Sequence, residues 1–301
     1  MNFKNLIMIK LRLKKKILNM INIEPYIELT RLNKPIGIYL LLWPTLTALW
    51  IANEGFPGFK LLFIFTLGVI LTRSAGCIIN DYADRDFDAH VERSKNRPLA
   101  NKRIASKSAF LLFFLLLLLA LILVLQTNLQ SVAMSLVAAI LMIIYPFMKR
   151  ITHSPQLFLG LAFSWAAPMA FTASTNQFNL NSLWLMVFII AWAIVYDTIY
   201  AMVDMEDDLK IGIKSTAILF HPKQQLLIAG FQLIMIFGLM MTAYKFNLSA
   251  SFYLGIFAIV PLMVYHHWLI KDGNKDLCFK AFLNNHWIGL IIFIFTVLAY
   301  F

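Results

Sequence analysis

Residues 61–88 read LLFIFTLGVILTRSAGCIINDYADRDFD. The first twenty positions hold a single charged residue, Arg73, and the last eight hold four aspartates, Asp81, Asp84, Asp86 and Asp88. About 20 apolar residues is the length of helix that crosses a bilayer. The stretch therefore predicts a membrane helix that ends in a dense patch of negative charge.

Apolar runs of this length recur from end to end. Of the 301 residues, 60% are hydrophobic and 14% charged, and the mean hydropathy is +0.75. A soluble domain carries about 25% charged residues. The pattern predicts an all-α polytopic membrane protein, a bundle of nine transmembrane helices near 36–52, 61–80, 109–125, 131–148, 157–175, 183–203, 225–243, 249–270 and 283–301. The breaks fall at polar, turn-like segments such as NEGFPG, QTNLQ, STNQFNLNS and KDGNKD. Residues 31–301 read as one membrane domain.

Basic residues orient this bundle. With the N-terminus cytoplasmic, 23 of the 26 Lys and Arg fall in inner segments, Lys60 and Lys245 in outer ones, and Arg73 inside the second span. Lys and Arg accumulate on the cytoplasmic side, so the bias supports both span count and orientation. It also accounts for the formal charge of +11 without nucleic acid, for which no binding motif is present. Residues 1–30 contain KNLIMIKLRLKKKILNMI, which predicts a basic amphipathic helix on anionic lipid; its charges interrupt any signal-peptide core, and a mitochondrial presequence is a lesser alternative. The two cysteines, Cys77 and Cys278, cannot make a disulfide framework.

Ten of the fifteen acidic residues lie in two clusters: Asp81, Asp84, Asp86, Asp88 and Glu92, then Asp197, Asp204, Glu206, Asp207 and Asp208. The orientation places both at cytoplasmic helix ends. Asn80, Asp84 and Asp88 are spaced by four, as are Tyr200, Asp204 and Asp208, so each set forms one helical stripe. The two sets stand 120 residues apart, which suggests a weak repeat of four-helix units. Like charges four apart repel by a few tenths of a kcal/mol, a cost that a solvated loop face tolerates; recurrence on one membrane face argues instead for a bound cation. Oxygen ligands without His or Cys suit a hard ion, Mg²⁺ before Zn²⁺, with the remaining positions filled by substrate phosphates. Two such groups facing each other suit two Mg²⁺ ions with a diphosphate between them. Candidate cations for that diphosphate are Arg31, Lys34, Arg73, Lys149, Arg150 and Lys214. Arg73 is the most telling, because an Arg inside the membrane is costly unless paired or functional. The histidines offer no rival metal motif: His266 and His267 are adjacent and point to different helix faces.

NDYADRDFD (80–88) fits NDxxDxxxD and YAMVDMEDD (200–208) fits YAxxDxxxD. Together they resemble the UbiA superfamily of intramembrane aromatic prenyltransferases, as does the nine-span plan. RLNKPIGIYLLLWPTLTALW (31–50), RSAGCIINDYADRDFDAHVERSKNRPL (73–99), YPFMKR (145–150) and YDTIYAMVDMEDDLKIGIKSTAILF (196–220) look like its 4-hydroxybenzoate polyprenyltransferase branch. The resemblance implies Asn80, Asp84 and Asp88 around one Mg²⁺ and Asp204 and Asp208 around another, with Asp81 in support. Tyr145 and Lys149 fit the family's YxxxK element, which implies that Lys149, with Arg150 beside it, meets the diphosphate; Tyr200 opens the second motif. ANKRIA (100–105) departs from the family's usual Pro-Ser-Gly turn, and Asp86, at a variable position, receives no role. The implied substrates are polyprenyl diphosphate and 4-hydroxybenzoate, joined ortho to the hydroxyl in ubiquinone biosynthesis, with Arg150 or Arg31 as partner of the benzoate carboxylate. The implied setting is the bacterial inner membrane, active-site face cytoplasmic, with the mitochondrial inner membrane as alternative. Rivals are other branches serving menaquinone, tocopherol-type quinones or haem O. A CDP-alcohol phosphatidyltransferase expects a DGxxAR lead-in that is missing, and an ion-coupled transporter expects midplane charges beside broken helices.

Overall fold

The computed structural model describes residues 23–89 and 91–301. The expected amphipathic helix at the N-terminus falls almost wholly outside them. Thirteen helices follow in order: α1 (Glu24–Leu29), α2 (Ile36–Ala52), α3 (Gly58–Asp88), α4 (Ser106–Val124), α5 (Leu129–Ile151), α6 (Pro155–Ser164), α7 (Ala166–Thr175), α8 (Ser182–Ile211), α9 (Thr216–Leu219), α10 (Gln224–Lys245), α11 (Ala250–Ile270), α12 (Lys275–Asn284) and α13 (His286–Leu298). No strand occurs among the described residues. The protein is an all-helical, multi-pass membrane protein.

Each expected span coincides with a helix or a broken pair. Among the described residues, eight segments are long and apolar enough to cross a bilayer, taking α6 with α7 and α12 with α13, and α2 is a shorter apolar helix of 17 residues. The first break has a covalent cause. Pro168 cannot donate a backbone hydrogen bond and its ring clashes one turn back, so the helix stops at Ser164 and restarts at Ala166. At the second break, the buried Asn285 accepts from Trp192 Nε1 at 3.3 Å and donates to the Ala281 carbonyl at 2.9 Å.

Helix α8 is the mast of the bundle, packed by α6, α10 and α12, and Trp192 at its middle is fully buried. Glycines allow this crowding. A Cβ on Gly238 would sit 2.8 Å from the Phe188 backbone nitrogen, and one on Gly160 3.0 Å from the Ile190 Cα. Small residues at such crossings let membrane helices approach closely. Outward faces stay apolar, as with Leu111, Phe114 and Leu118 on α4, because lipid is the solvent there.

Length then positions the charge. At 1.5 Å per residue, the 31 residues of α3 and the 30 of α8 make rods of about 45 Å, against about 30 Å of hydrocarbon. Their final turns, which carry the two acid motifs, therefore extend past the apolar layer.

Candidate functional site

The motif carboxylates are held by cations drawn from three directions. Arg31, in the turn between α1 and α2, donates from Nη2 to both oxygens of Asp81, at 2.7 and 2.9 Å. Arg97 comes from the segment between α3 and α4; its Nη1 lies 2.7 Å from Asp88 Oδ2 and 3.2 Å from Asp81 Oδ1. Arg93, from the same segment, reaches across to α8, donating from Nε to Asp204 Oδ1 at 2.9 Å with its guanidinium 4.6 Å from the Tyr200 ring centre. Lys149 at the end of α5 pairs with Asp84. These bonds tie the ends of α3, α5 and α8 into one polar head, so the two acid motifs, 120 residues apart in sequence, meet in space.

The helical stripe explains why this works. Asp81, Asp84 and Asp88 are buried, and buried carboxylates need partners. Burial alone works against the charge on Arg97, but Asp81 and Asp88 outweigh it and hold the guanidinium above its ordinary pKa. Arg93 is held up likewise, by Tyr200 and Asp204 against burial.

Under this head lies a cavity of about 1480 Å³, larger than the roughly 300–1,000 Å³ usual for small-molecule pockets. Its polar end is lined by Arg31, Lys34, Asn80, Asp81, Arg93 and Arg97, its middle by Arg73, Tyr145, Asp197 and Tyr200, and its apolar end by Leu117, Leu121, Leu136 and Ala139. Arg73 enters from α3 because Gly37 leaves room: a Cβ there would lie 2.5 Å from Arg73 Nε. Its Nη1 lies 3.2 Å from Cys77 Sγ, its guanidinium 5.7 Å from the Phe163 ring centre, and its buried Nε has no hydrogen-bond partner.

The expected residues sort unevenly. Asn80, Asp81, Asp84, Asp88, Asp204, Lys149, Arg31, Lys34, Arg73, Tyr145 and Tyr200 converge on the head or the cavity beneath it. Asp208 lies one turn past Asp204 on α8. Arg150 turns aside, to the Ala83 carbonyl and the Phe87 ring. Lys214 faces neither: its ammonium donates to the Ile151 carbonyl at 3.2 Å. The second acid cluster divides. Glu206 and Asp207 pair outward with Lys275 and Lys210, while Asp197 belongs to the cavity rather than to the helix end. Arg93 and Arg97 were missed; their signal was a run of three basic residues, Arg93, Lys95 and Arg97, directly after the first acid cluster.

As they stand, no three carboxylate, His or Cys groups among the described residues converge on one point that would hold a metal ion, because Arg and Lys occupy the space between them. The donor set still fits a hard cation. It is all oxygen, and the buried Asp84 Oδ1 has no hydrogen-bond partner.

Comparison with known proteins agrees with this reading. The UbiA prenyltransferase family model matches residues 41–297. The 4-hydroxybenzoate octaprenyltransferases of Alkalilimnicola ehrlichii and Tolumonas auensis are each 50% identical, over 89% and 92% of this chain and 92% and 96% of theirs. Among solved structures, an apo UbiA homologue from Aeropyrum pernix K1 superposes with a TM-score of 0.77 at 19% identity, covering 87% of this chain and 97% of that one. A homologue from Archaeoglobus fulgidus bound to GPP and Mg²⁺ superposes with a TM-score of 0.71 at 17% identity, covering 91% and 99%. The fold, both acid motifs and the extent of these matches lead to one conclusion: the chain belongs to the UbiA prenyltransferase family.

Proposed function

We propose that this protein transfers a polyprenyl group from polyprenyl diphosphate to the ring of 4-hydroxybenzoate, ortho to the hydroxyl, releasing diphosphate, as a step of ubiquinone biosynthesis. The observation that carries this is the polar head itself: two acid motifs and four cations set over a cavity whose far end is apolar. The half-identical octaprenyltransferases support the acceptor.

Asn80, Asp84 and Asp88 would hold one Mg²⁺ and Asp204 and Asp208 a second. Bound there, the ions would supply positive charge to offset that of the departing diphosphate. Arg31, Arg93, Arg97 and Lys149 each end on a carboxylate, and each is a cation of the kind a diphosphate recruits. Asp81, gripped by Arg31 and Arg97, sets where those two stand. Preorganised cations of this kind stabilise the departing charge without reorganising. Arg73 suits the benzoate carboxylate better than Arg31 or Arg150, since it faces the cavity and keeps a free N–H donor. The apolar end takes the isoprenoid, and the enclosing helices keep water from the allylic cation.

In this reading the chain crosses the bacterial inner membrane nine times, α2 included, with N-terminus and active site cytoplasmic. Residues 31–301 form the single catalytic domain. Product analysis in membranes, with a panel of aromatic acceptors and prenyl chain lengths, tests the assignment: 3-polyprenyl-4-hydroxybenzoate should dominate, and a different favoured acceptor would overturn it.

A further inference from the structure

The last turn of α5 is held from outside its own helix. It carries Lys149, whose ammonium pairs with Asp84, and Arg150, which turns to the Ala83 carbonyl. A helix leaves its last four carbonyls without intrahelical partners, here those of Met148, Lys149, Arg150 and Ile151. The Thr152 N–H takes the first at 2.8 Å. Lys214 takes two others: its backbone N–H donates to the Lys149 carbonyl at 3.0 Å, and its ammonium to the Ile151 carbonyl at 3.2 Å. The ammonium also sets positive charge at the negative end of the helix dipole. Pro146, just before this turn, brings no backbone donor, so the turn depends the more on Lys214.

Lys214 is itself fixed. Helix α8 stops at Gly212, whose φ of +75° suits glycine, and the Ile213 N–H closes on the Asp208 carbonyl at 3.0 Å. Beyond Lys214, the Thr216 N–H donates to Gln156 Oε1 at 3.2 Å, and the Thr216 hydroxyl lies 2.6 Å from that of Thr198. Gln156, Thr198 and Thr216 are all buried. The stretch of chain that leaves the second acid motif is thus clamped to α6 and α8 on one side and to the end of α5 on the other.

We propose that Lys214 is a positioning residue: it fixes the rotation of the last turn of α5 and so selects Lys149, rather than Arg150, to face the first acid motif. Adjacent residues on a helix point about 100° apart, so a slip of one residue would exchange the two cations. The four-carbon stem of Lys149 is flexible, and the place where its backbone is held decides what its ammonium reaches. The residue that holds it comes from the stretch directly after Asp204 and Asp208. The two acid motifs are therefore tied by main chain as well as by side-chain ion pairs. The inference rests on the role given to Lys149 above.

Lys214→Met keeps the stem and removes the ammonium. Its kcat should fall about 10-fold, a part of the loss expected from removing Lys149 outright, while the KM for 4-hydroxybenzoate stays within about twofold of wild type. Lys214→Arg, which restores a charged donor, should return kcat to within about threefold of wild type. In a Lys149→Ala background, Lys214→Met should lower the rate by less than about twofold further, because residues that act through one another are not additive. Hydrogen exchange of the metal-free protein in detergent gives a readout apart from turnover. Amides of residues 148–152 should exchange at least about 10-fold faster in Lys214→Met and near the wild-type rate in Lys214→Arg, with residues 204–211 unchanged. A wild-type rate in Lys214→Met, a full further loss in the Lys149→Ala background, or exchange that is unchanged at 148–152 or raised throughout the chain would overturn the role. Wild-type turnover in Lys149→Ala would overturn the reading of Lys149 and the inference with it.

Discussion

The Arg97 guanidinium lies 2.7 Å from Asp88 and 3.2 Å from Asp81, so one cation from the segment after α3 bridges two carboxylates a helical turn or more apart. All three side chains are largely buried, at 16, 10 and 1% exposure. Removing one member of a buried pair costs about 3–5 kcal/mol, because the other charge is left uncompensated; Asp81 keeps Arg31, so the lower part of that range applies. Arg97→Ala should lower thermal stability in detergent and raise the KM for polyprenyl diphosphate about 10- to 100-fold, the loss of one charged hydrogen bond. Unchanged values of both would remove Arg97 from the site.

Asp84 and Asp204 hold the two halves of the head to Lys149 and Arg93. Asp84→Ala and Asp204→Ala should each abolish turnover while the protein still inserts, as judged by membrane fractionation beside a product assay. Lys149→Ala should lower kcat about 10²–10³-fold, the scale of one lost preorganised donor. Wild-type rates in the two Asp variants would reduce the acid clusters to surface charge.

Arg73 should act on the acceptor alone. Arg73→Ala is expected to raise the KM for 4-hydroxybenzoate about 10-fold or more, with little change for polyprenyl diphosphate. Gly37→Ala should push in the same direction, since its methyl group would occupy the space 2.5 Å from Arg73 Nε. Steady-state kinetics varying each substrate in turn separate the two; a matched rise in both KM values would contradict the assignment.

The sequence carried the helices and the acid motifs because both are local patterns. Apolar length marks a span, and spacing by four puts Asp84 beneath Asp88 on one face. What it could not carry was partnership across the chain. Lys149 was legible as a candidate, yet its pairing with Asp84, 65 positions away, is a product of packing. Arg93 and Arg97 looked like ordinary positive-inside charge until the fold turned them back onto α3 and α8. Lys214 looked like a site cation and instead bonds the Ile151 carbonyl at the end of α5. Asp197 was read with the helix-end acids because it is near them in sequence; on a rod rising 1.5 Å per residue, seven residues separate it from Asp204 by depth.

Packing around α8 makes an independent prediction. A Cβ on Gly238 would meet the Phe188 backbone nitrogen at 2.8 Å and the Trp184 carbonyl at 3.1 Å, and backbone cannot rotate away as a side chain can. Gly238→Ala should destabilise by about 1–3 kcal/mol, the usual cost of overpacking, while activity per folded molecule is kept, because Gly238 lines no part of the cavity. A melting curve in detergent together with the specific activity of the folded fraction checks both halves.

In the proposed mechanism the paired acid motifs bind divalent metal in order to hold a prenyl diphosphate. This is tested most directly by following formation of 3-polyprenyl-4-hydroxybenzoate in membranes carrying this protein, first with Mg²⁺, then with EDTA, then with Mg²⁺ restored. Product should cease with EDTA and return with Mg²⁺. Undiminished product formation in EDTA would contradict it.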